Sequence, residues 1–137
     1  MWWIYALLSA FFASLTAIFA KVGVKDIDSD LATAIRTVII LILAWGIVLF
    51  KGVIPGVQHF TKPNWTFLVL SGLATGLSWL FYFRALQAGK VSQVAPLDKL
   101  SVALTIILSV IFLKESVTIK DAIGAALIIG GTFVLIL

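Results

Sequence analysis

Residues 92–113 read SQVAPLDKLSVALTIILSVIFL, and how this stretch is parsed decides the fold. Its unbroken apolar part, Leu100 to Leu113, makes about 21 Å of helix at about 1.5 Å rise per residue. A bilayer hydrocarbon core about 30 Å thick needs roughly 20 apolar helical residues. The run therefore crosses only if its helix starts earlier. A start after Ser92 gives about 21 residues and draws Pro96, Asp98 and Lys99 inside. An acid at depth costs roughly 2.5–3.5 kcal/mol on insertion scales, so it faces protein or a wet cavity. The alternative is a short span in a thinned bilayer, with Asp98 and Lys99 among the headgroups. Pro96 weakens the helix at this point and frees backbone carbonyls that can line a cavity.

Outward from this stretch lie four more apolar runs: Trp2–Ala20, Leu31–Phe50, Trp65–Phe83 and Ala122–Leu137. The last is slightly short, and Lys120 can snorkel to extend it. Hydrophobic residues make up 62% of the chain and charged residues 12%, against roughly 45–50% and 25% in soluble domains. A soluble protein of this size cannot hide so much apolar surface. The expected fold class is an all-α membrane protein, a bundle of five transmembrane helices with the lipid bilayer as its solvent. The first run is expected to stay as a membrane helix and not to be removed as a signal peptide. It has no basic leader, and Trp2 and Trp3 read as interfacial anchors.

Helix boundaries carry local signals. Asp28-Ser29-Asp30 are good N-caps for the second helix. Pro55-Gly56 and Pro63-Asn64 mark turns in the second connection, with Asn64 placed to cap the third helix. Gly89 is expected to end that helix, and Ser92 to cap the fourth. Thr118-Ile119-Lys120-Asp121 fits the capping box that opens the fifth.

Two polar stripes follow a helical period. Ser71, Thr75, Ser78 and Tyr82 share one face of the third helix. Asp98, Ser101, Thr105 and Ser109 share one face of the fourth. Both are candidate cavity linings, presented to one aqueous path; the plainer reading is ordinary hydrogen bonding between helices, worth about 0.6 kcal/mol per group. Arg36, Arg84 and Lys99 are the candidate charge partners of Asp98, although Arg36 and Arg84 also suit an interfacial role. Small residues mark close packing: Ala6, Ala10, Ala13, Ala17 and Ala20 on the first helix, Gly72 and Gly76 on the third, and Ala122, Ala126 and Gly130 on the fifth. The fifth helix is polar only at Thr132, so its small stripe is the expected seam of a dimer.

Several function classes are excluded. With no cysteine and one histidine, His59, there is no thiolate metal site and no cluster of metal-binding histidines. No paired acids, Ser/His/Asp set or phosphate loop appears, so no enzyme, cofactor or metal is expected. The net charge of +4 comes from basic residues placed singly at helix ends, which is no nucleic-acid signature.

The stretch from Phe81 to Ser101 carries Tyr82, Ala85-Leu86, Gly89, Ser92 and Pro96-Leu97 in order. Ile111-Phe112-Leu113-Lys114-Glu115-Ser116 follows, then Ile123 to Gly131. This series resembles the EamA-type domain of the drug/metabolite transporter superfamily, over essentially the whole chain and most firmly after about residue 70. Most members resemble two such units in tandem. Residues 1–137 resemble one unit, like the small five-helix bacterial and archaeal branch. The resemblance implies a multi-pass protein of the prokaryotic inner membrane that transports a small molecule. The four-helix multidrug branch relies on a glutamate in its first helix. Here that helix offers only Ser9, Ser14 and Thr16, which argues against proton-coupled export of cationic drugs.

The expected function is secondary transport of a small polar metabolite, by alternating access within a homodimer. Five is odd, so a single unit copies the inverted arrangement of a tandem repeat only by inserting both ways. The basic residues fall six on one side, Lys21, Lys25, Arg36, Arg84, Lys90 and Lys99, and four on the other, Lys51, Lys62, Lys114 and Lys120. So weak a bias hardly fixes orientation. The rival reading is an accessory membrane subunit that functions only in a heteromer.

Overall fold

The computed structural model describes all 137 residues. The chain is 86% helical and has no strands. Five helices are long and apolar enough to cross a membrane: Trp2–Gly23, Ser29–Lys51, Lys62–Ala88, Val91–Leu113 and Ile119–Ile136. The fourth span is composite. The elements in chain order are α1 (Trp2–Gly23), α2 (Ser29–Lys51), a 3-10 helix (Ile54–His59), α3 (Lys62–Ala88), α4 (Val91–Asp98), α5 (Leu100–Leu108), a π-helical turn (Ser109–Leu113) and α6 (Ile119–Ile136). They group into two compact units, residues 20–87 and residues 1–19 with 88–137.

In the first of these units, α2 starts where the acidic cap predicts. Asp28 is extended, and its carboxylate accepts from the amides of Asp30 (2.9 Å) and Leu31 (3.0 Å). The helix stops at Gly52, whose φ of 64° lets the Gly52 and Val53 amides turn back onto the carbonyls of Leu49 and Val48. A glycine takes this left-handed turn without a Cβ penalty. The expected cap of α3 is corrected by one turn. The Thr61 carbonyl accepts the first helical bond, from Trp65 at 3.2 Å. Asn64 instead sits inside the helix and accepts from the Thr61 amide at 3.0 Å. Thr61 therefore takes the capping position, and Asn64 reaches back as the third helical residue of a capping box does. Between α2 and α3 the expected turns join into a 3-10 helix with Pro55 in its first turn, where a missing N–H is harmless.

The small core of this unit gathers at one end. Val24, Phe83 and Leu86 are fully buried. Ala20 and Ala32 are buried beside small polar Ser29 and Thr33, and residues this small let helices approach closely. The Thr33 hydroxyl donates to its own helix at Ser29, 2.9 Å. Elsewhere large apolar side chains point outward along every span. In lipid that arrangement carries no hydration cost, because the surrounding tails are as apolar as leucine.

In the other unit, α4 and α5 both pack on α6. The span starts earlier than the apolar run, as its length requires. Its cap is Lys90, however, and Ser92 lies within the first turn. The interruption falls at Lys99, where the backbone tightens: the Lys99 amide bonds Pro96 at 3.0 Å and the Val102 amide bonds Lys99 at 3.0 Å, each three residues back. The buried Thr132 hydroxyl of α6 stands 2.8 Å from its own Ile128 carbonyl and 3.2 Å from the Pro96 carbonyl. The one polar residue of α6 beyond its first turn therefore serves the interrupted helix. At the far end the span widens into a π turn and stops at Lys114 in a left-handed conformation, φ 56°. The predicted capping box of α6 is present: the Thr118 amide donates to Asp121 at 2.9 Å, and the Asp121 amide to the Thr118 hydroxyl at 3.3 Å.

Candidate functional site

The end of α1, the start of α2 and the end of α3 carry the richest polar chemistry in the chain. Lys21 donates to the Leu86 carbonyl at 2.5 Å. Gln87 donates to two carbonyls of the α1–α2 connection, Val24 at 3.0 Å and Ile27 at 2.6 Å. Arg84 grips Asp30 with two nitrogens, Nε at 3.1 Å and Nη2 at 2.5 Å. A two-pronged guanidinium–carboxylate pair holds orientation as well as charge. Two of the accepting carbonyls, those of Val24 and Leu86, belong to residues whose side chains are buried. Beside them lies a half-open cavity of about 800 Å³, lined by Lys21, Val22, Val24, Lys25, Asp26 and Gln87.

Arg36 stands about 10 Å along α2 from Ser29. Its guanidinium lies over two rings of α3, 4.4 Å from the Phe83 centroid and 5.3 Å from that of Trp79. Tyr82 stands edge-on to the Phe83 ring, centroids 6.1 Å apart. A cation over aromatic faces gains about 0.5–1 kcal/mol when exposed and about 2 when desolvated. An arginine within a span is costly, by roughly 2.5–3.5 kcal/mol on insertion scales at the centre, which is the upper bound for Arg36 in the first third of α2. The rings offset part of such a cost and leave the hydrogen-bonding capacity of the guanidinium unused.

The two predicted stripes fall in different units, and each keeps its helical face. On α3, Ser71, Thr75 and Ser78 are exposed and Tyr82 is half-buried. The Thr75 hydroxyl donates to the Ser71 carbonyl at 2.8 Å. On α5, Ser101 and Thr105 are exposed, and Thr105 donates to Ser101 at 2.8 Å. Ser109 donates to Ile106 at 2.9 Å. A hydroxyl has one proton and two lone pairs. With the proton turned onto the helix, these hydroxyls present acceptors outward. Asp98 ends α4 at the helix break, with Lys99 Nζ 3.4 Å from its carboxylate. Of the three candidate charge partners, Lys99 meets Asp98, Arg84 is engaged by Asp30, and Arg36 rests on aromatic rings.

Residues 1–137 match the model of the EamA-like transporter family. The chain belongs to that family. It is a multi-pass membrane protein built on five transmembrane helices. It is similar to an uncharacterized transporter in the cobO 3′ region of Sinorhizobium sp., 51% identical over 134 residues, which is 98% of this chain and 95% of the relative. It is also similar to an uncharacterized protein of Methanocaldococcus jannaschii, 39% identical over 70 residues, covering 51% of each. No solved structure matches.

Sequence reasoning treated Asp30 only as part of a cap and passed over Gln87. A signal was present for both. Arg84 and Gln87 are three residues apart and so share a face of α3, while Asp30 is the acid in the first turn of α2. Their convergence depends on pairing α2 with α3 across 54 residues, which no local pattern encodes.

Proposed function

We propose that this EamA-family protein is a secondary transporter that moves a small polar metabolite by alternating access as a homodimer in the prokaryotic inner membrane. One observation carries the reading: the fourth span is interrupted at Lys99, directly beside Asp98. Interrupted spans are how transporters expose backbone carbonyls and place an ionisable group at a solute site. The polar faces of α3 and of α4–α5 are the solute-facing surfaces. Asp98, Ser101 and Thr105 supply one of them, and Ser71, Thr75, Ser78 and Tyr82 the other.

A second copy is expected on α6. Ala122, Ala126 and Gly130 are exposed, and a Cβ placed on Gly130 meets nothing within 4 Å. Such a small-residue face suits close packing of another helix.

Single-cysteine labelling tests the solute path, and the cysteine-free chain makes it clean. Cysteine at Thr75 and at Thr105 should react with a small water-borne thiol reagent, and cysteine at Ile107 should not. If neither threonine position labels under any condition, the stripes are packing surfaces and the path is refuted.

The dimer carries its own prediction. Paired C-terminal reporters, one active only in the cytoplasm and one only outside, should both give signal, since basic residues divide six against four between the two sides. Adding three lysines to the second connection should then bias one orientation. A signal from one side only would sink the antiparallel homodimer and favour a heteromeric accessory subunit.

A further inference from the structure

We infer that Arg36 is the subsite for an oxyanion, a carboxylate or phosphate group carried by the transported solute. The inference rests on the transporter reading above, and it names the chemical class of the solute.

The first support is the partner inventory. Lys21 reaches the Leu86 carbonyl, Arg84 reaches Asp30 and Lys99 reaches Asp98. Arg36 meets no carboxylate or carbonyl of the chain; its contacts are the Phe83 and Trp79 rings. A guanidinium carries five N–H donors in a fixed fork. No buried polar side-chain atom lacks a partner, so the unused donors of Arg36 are open to the surroundings and not sealed in apolar packing. An ionisable group inside a span with no counter-charge in the chain marks a candidate functional site.

The second support is the platform. Phe83 is 1% exposed, so the ring beneath the guanidinium is fixed in place. Side chains held by packing keep a recognition group in position. The forked guanidinium matches the two oxygens of a carboxylate or phosphate better than a lysine does.

The third support is position. Tyr82 ends the polar stripe of α3, and its ring stands edge-on to Phe83, the ring that carries the Arg36 guanidinium. The stripe therefore leads to the cation. The Thr75 proton is turned inward onto its helix, so this hydroxyl offers lone pairs to N–H or O–H groups of a solute. Arg36 offers donors only. A small hydroxylated or amino-substituted acid or phosphate ester matches that order of groups. An organic cation does not.

The same chemistry reaches Arg36 from a second source, the phosphate of an anionic lipid, because Arg36 lies in the outer part of its span. The test separates the two. Protein purified in an uncharged maltoside is heated with sodium phosphate or sodium acetate, each against sodium chloride at equal ionic strength, and separately with phosphatidylglycerol. Wild type is compared with Arg36→Gln and Arg36→Lys. Phosphate and acetate should raise the wild-type unfolding midpoint by about 3 °C beyond chloride, saturably. Arg36→Gln should lose the shift, and Arg36→Lys should keep a smaller one, since it retains the charge without the fork.

If Arg36→Gln does not fold, Trp79 fluorescence carries the test. The emission component that Trp79→Phe removes should change on phosphate addition, with the same half-saturation in wild type. It should saturate at higher phosphate in Arg36→Lys. Equal shifts in wild type and Arg36→Gln, or no Trp79 response, overturn the subsite. A response to phosphatidylglycerol alone overturns its assignment to the solute. Labelling of cysteine at position 75 without any oxyanion response sinks the subsite and leaves the solute path standing. Absence of labelling at positions 75 and 105 sinks the path itself.

Discussion

Asp98→Asn is expected to cut solute uptake into proteoliposomes at least about tenfold, equivalent to about 1.4 kcal/mol of lost interaction, while the protein folds normally. The two halves of this expectation have separate grounds. Within the chain, the only ion pair of Asp98 is with the neighbouring Lys99 at 3.4 Å, and both side chains are substantially exposed. Exposed pairs contribute little to stability, and asparagine keeps the size and one acceptor. Function is different, because a charge set beside an interruption in a span is available to a solute or its coupling ion. The solute for the assay comes from a solid-supported-membrane screen of amino acids, sugars, cations and organic anions. A variant with wild-type uptake would place Asp98 among the headgroups, where neutralising it should be silent.

Much of the fold was legible because lipid imposes length. A span must supply about 20 helical residues, so the short run from Leu100 to Leu113 forced an earlier start. The structure starts that span at Val91. Capping signals were legible at Asp28 and Thr118, whose short side chains accept from amides of the first turn they precede. They misled at Asn64 and Ser92, each of which lies inside its helix. Thr61 and Asn64 compete for one helix start, and the reciprocal bond between them assigns the roles. Ser92 was passed over in favour of Lys90, which has the extended backbone a cap needs but no side-chain bond. The π turn before Lys114 had no signal, since nothing in an apolar run distinguishes one hydrogen-bond register from the next.

The candidate site was legible by period and illegible by pairing. Spacing alone put Ser71, Thr75, Ser78 and Tyr82 on one face and Asp98, Ser101 and Thr105 on another. Arg36, Arg84 and Lys99 stood as the candidate charge partners of Asp98. Which partner each one takes is a tertiary matter. Arg84 to Asp30, Gln87 to Val24 and Ile27, and Arg36 to Trp79 and Phe83 all join positions at least 40 residues apart. Lys99 and Asp98 alone are neighbours in sequence, and theirs is the one pairing that could be read directly.

Leu86→Ala should be the most damaging single truncation in residues 20–87, costing about 2–5 kcal/mol. Leu86 is 0% exposed. Its side chain is fully buried, as are those of Val24 and Phe83, so its removal leaves a cavity. The polar clasp at the end of α3 is anchored in part by its own carbonyl, which accepts from Lys21. Alanine leaves that carbonyl in place, so the substitution isolates packing from hydrogen bonding. Leu73→Ala on the same helix is the control, because Leu73 is 62% exposed. In a bilayer an outward leucine passes from lipid to lipid as the inserted helices assemble, so its truncation should cost less than about 0.5 kcal/mol. Unfolding in mixed micelles of rising denaturing-detergent content measures both. A large gap between them would show that the end of α3 is locked against α1 and α2, which is what holds Arg36 and Arg84 in register. Equal effects would mean that the clasp does not form in the membrane, and the anion subsite would lose its platform with it.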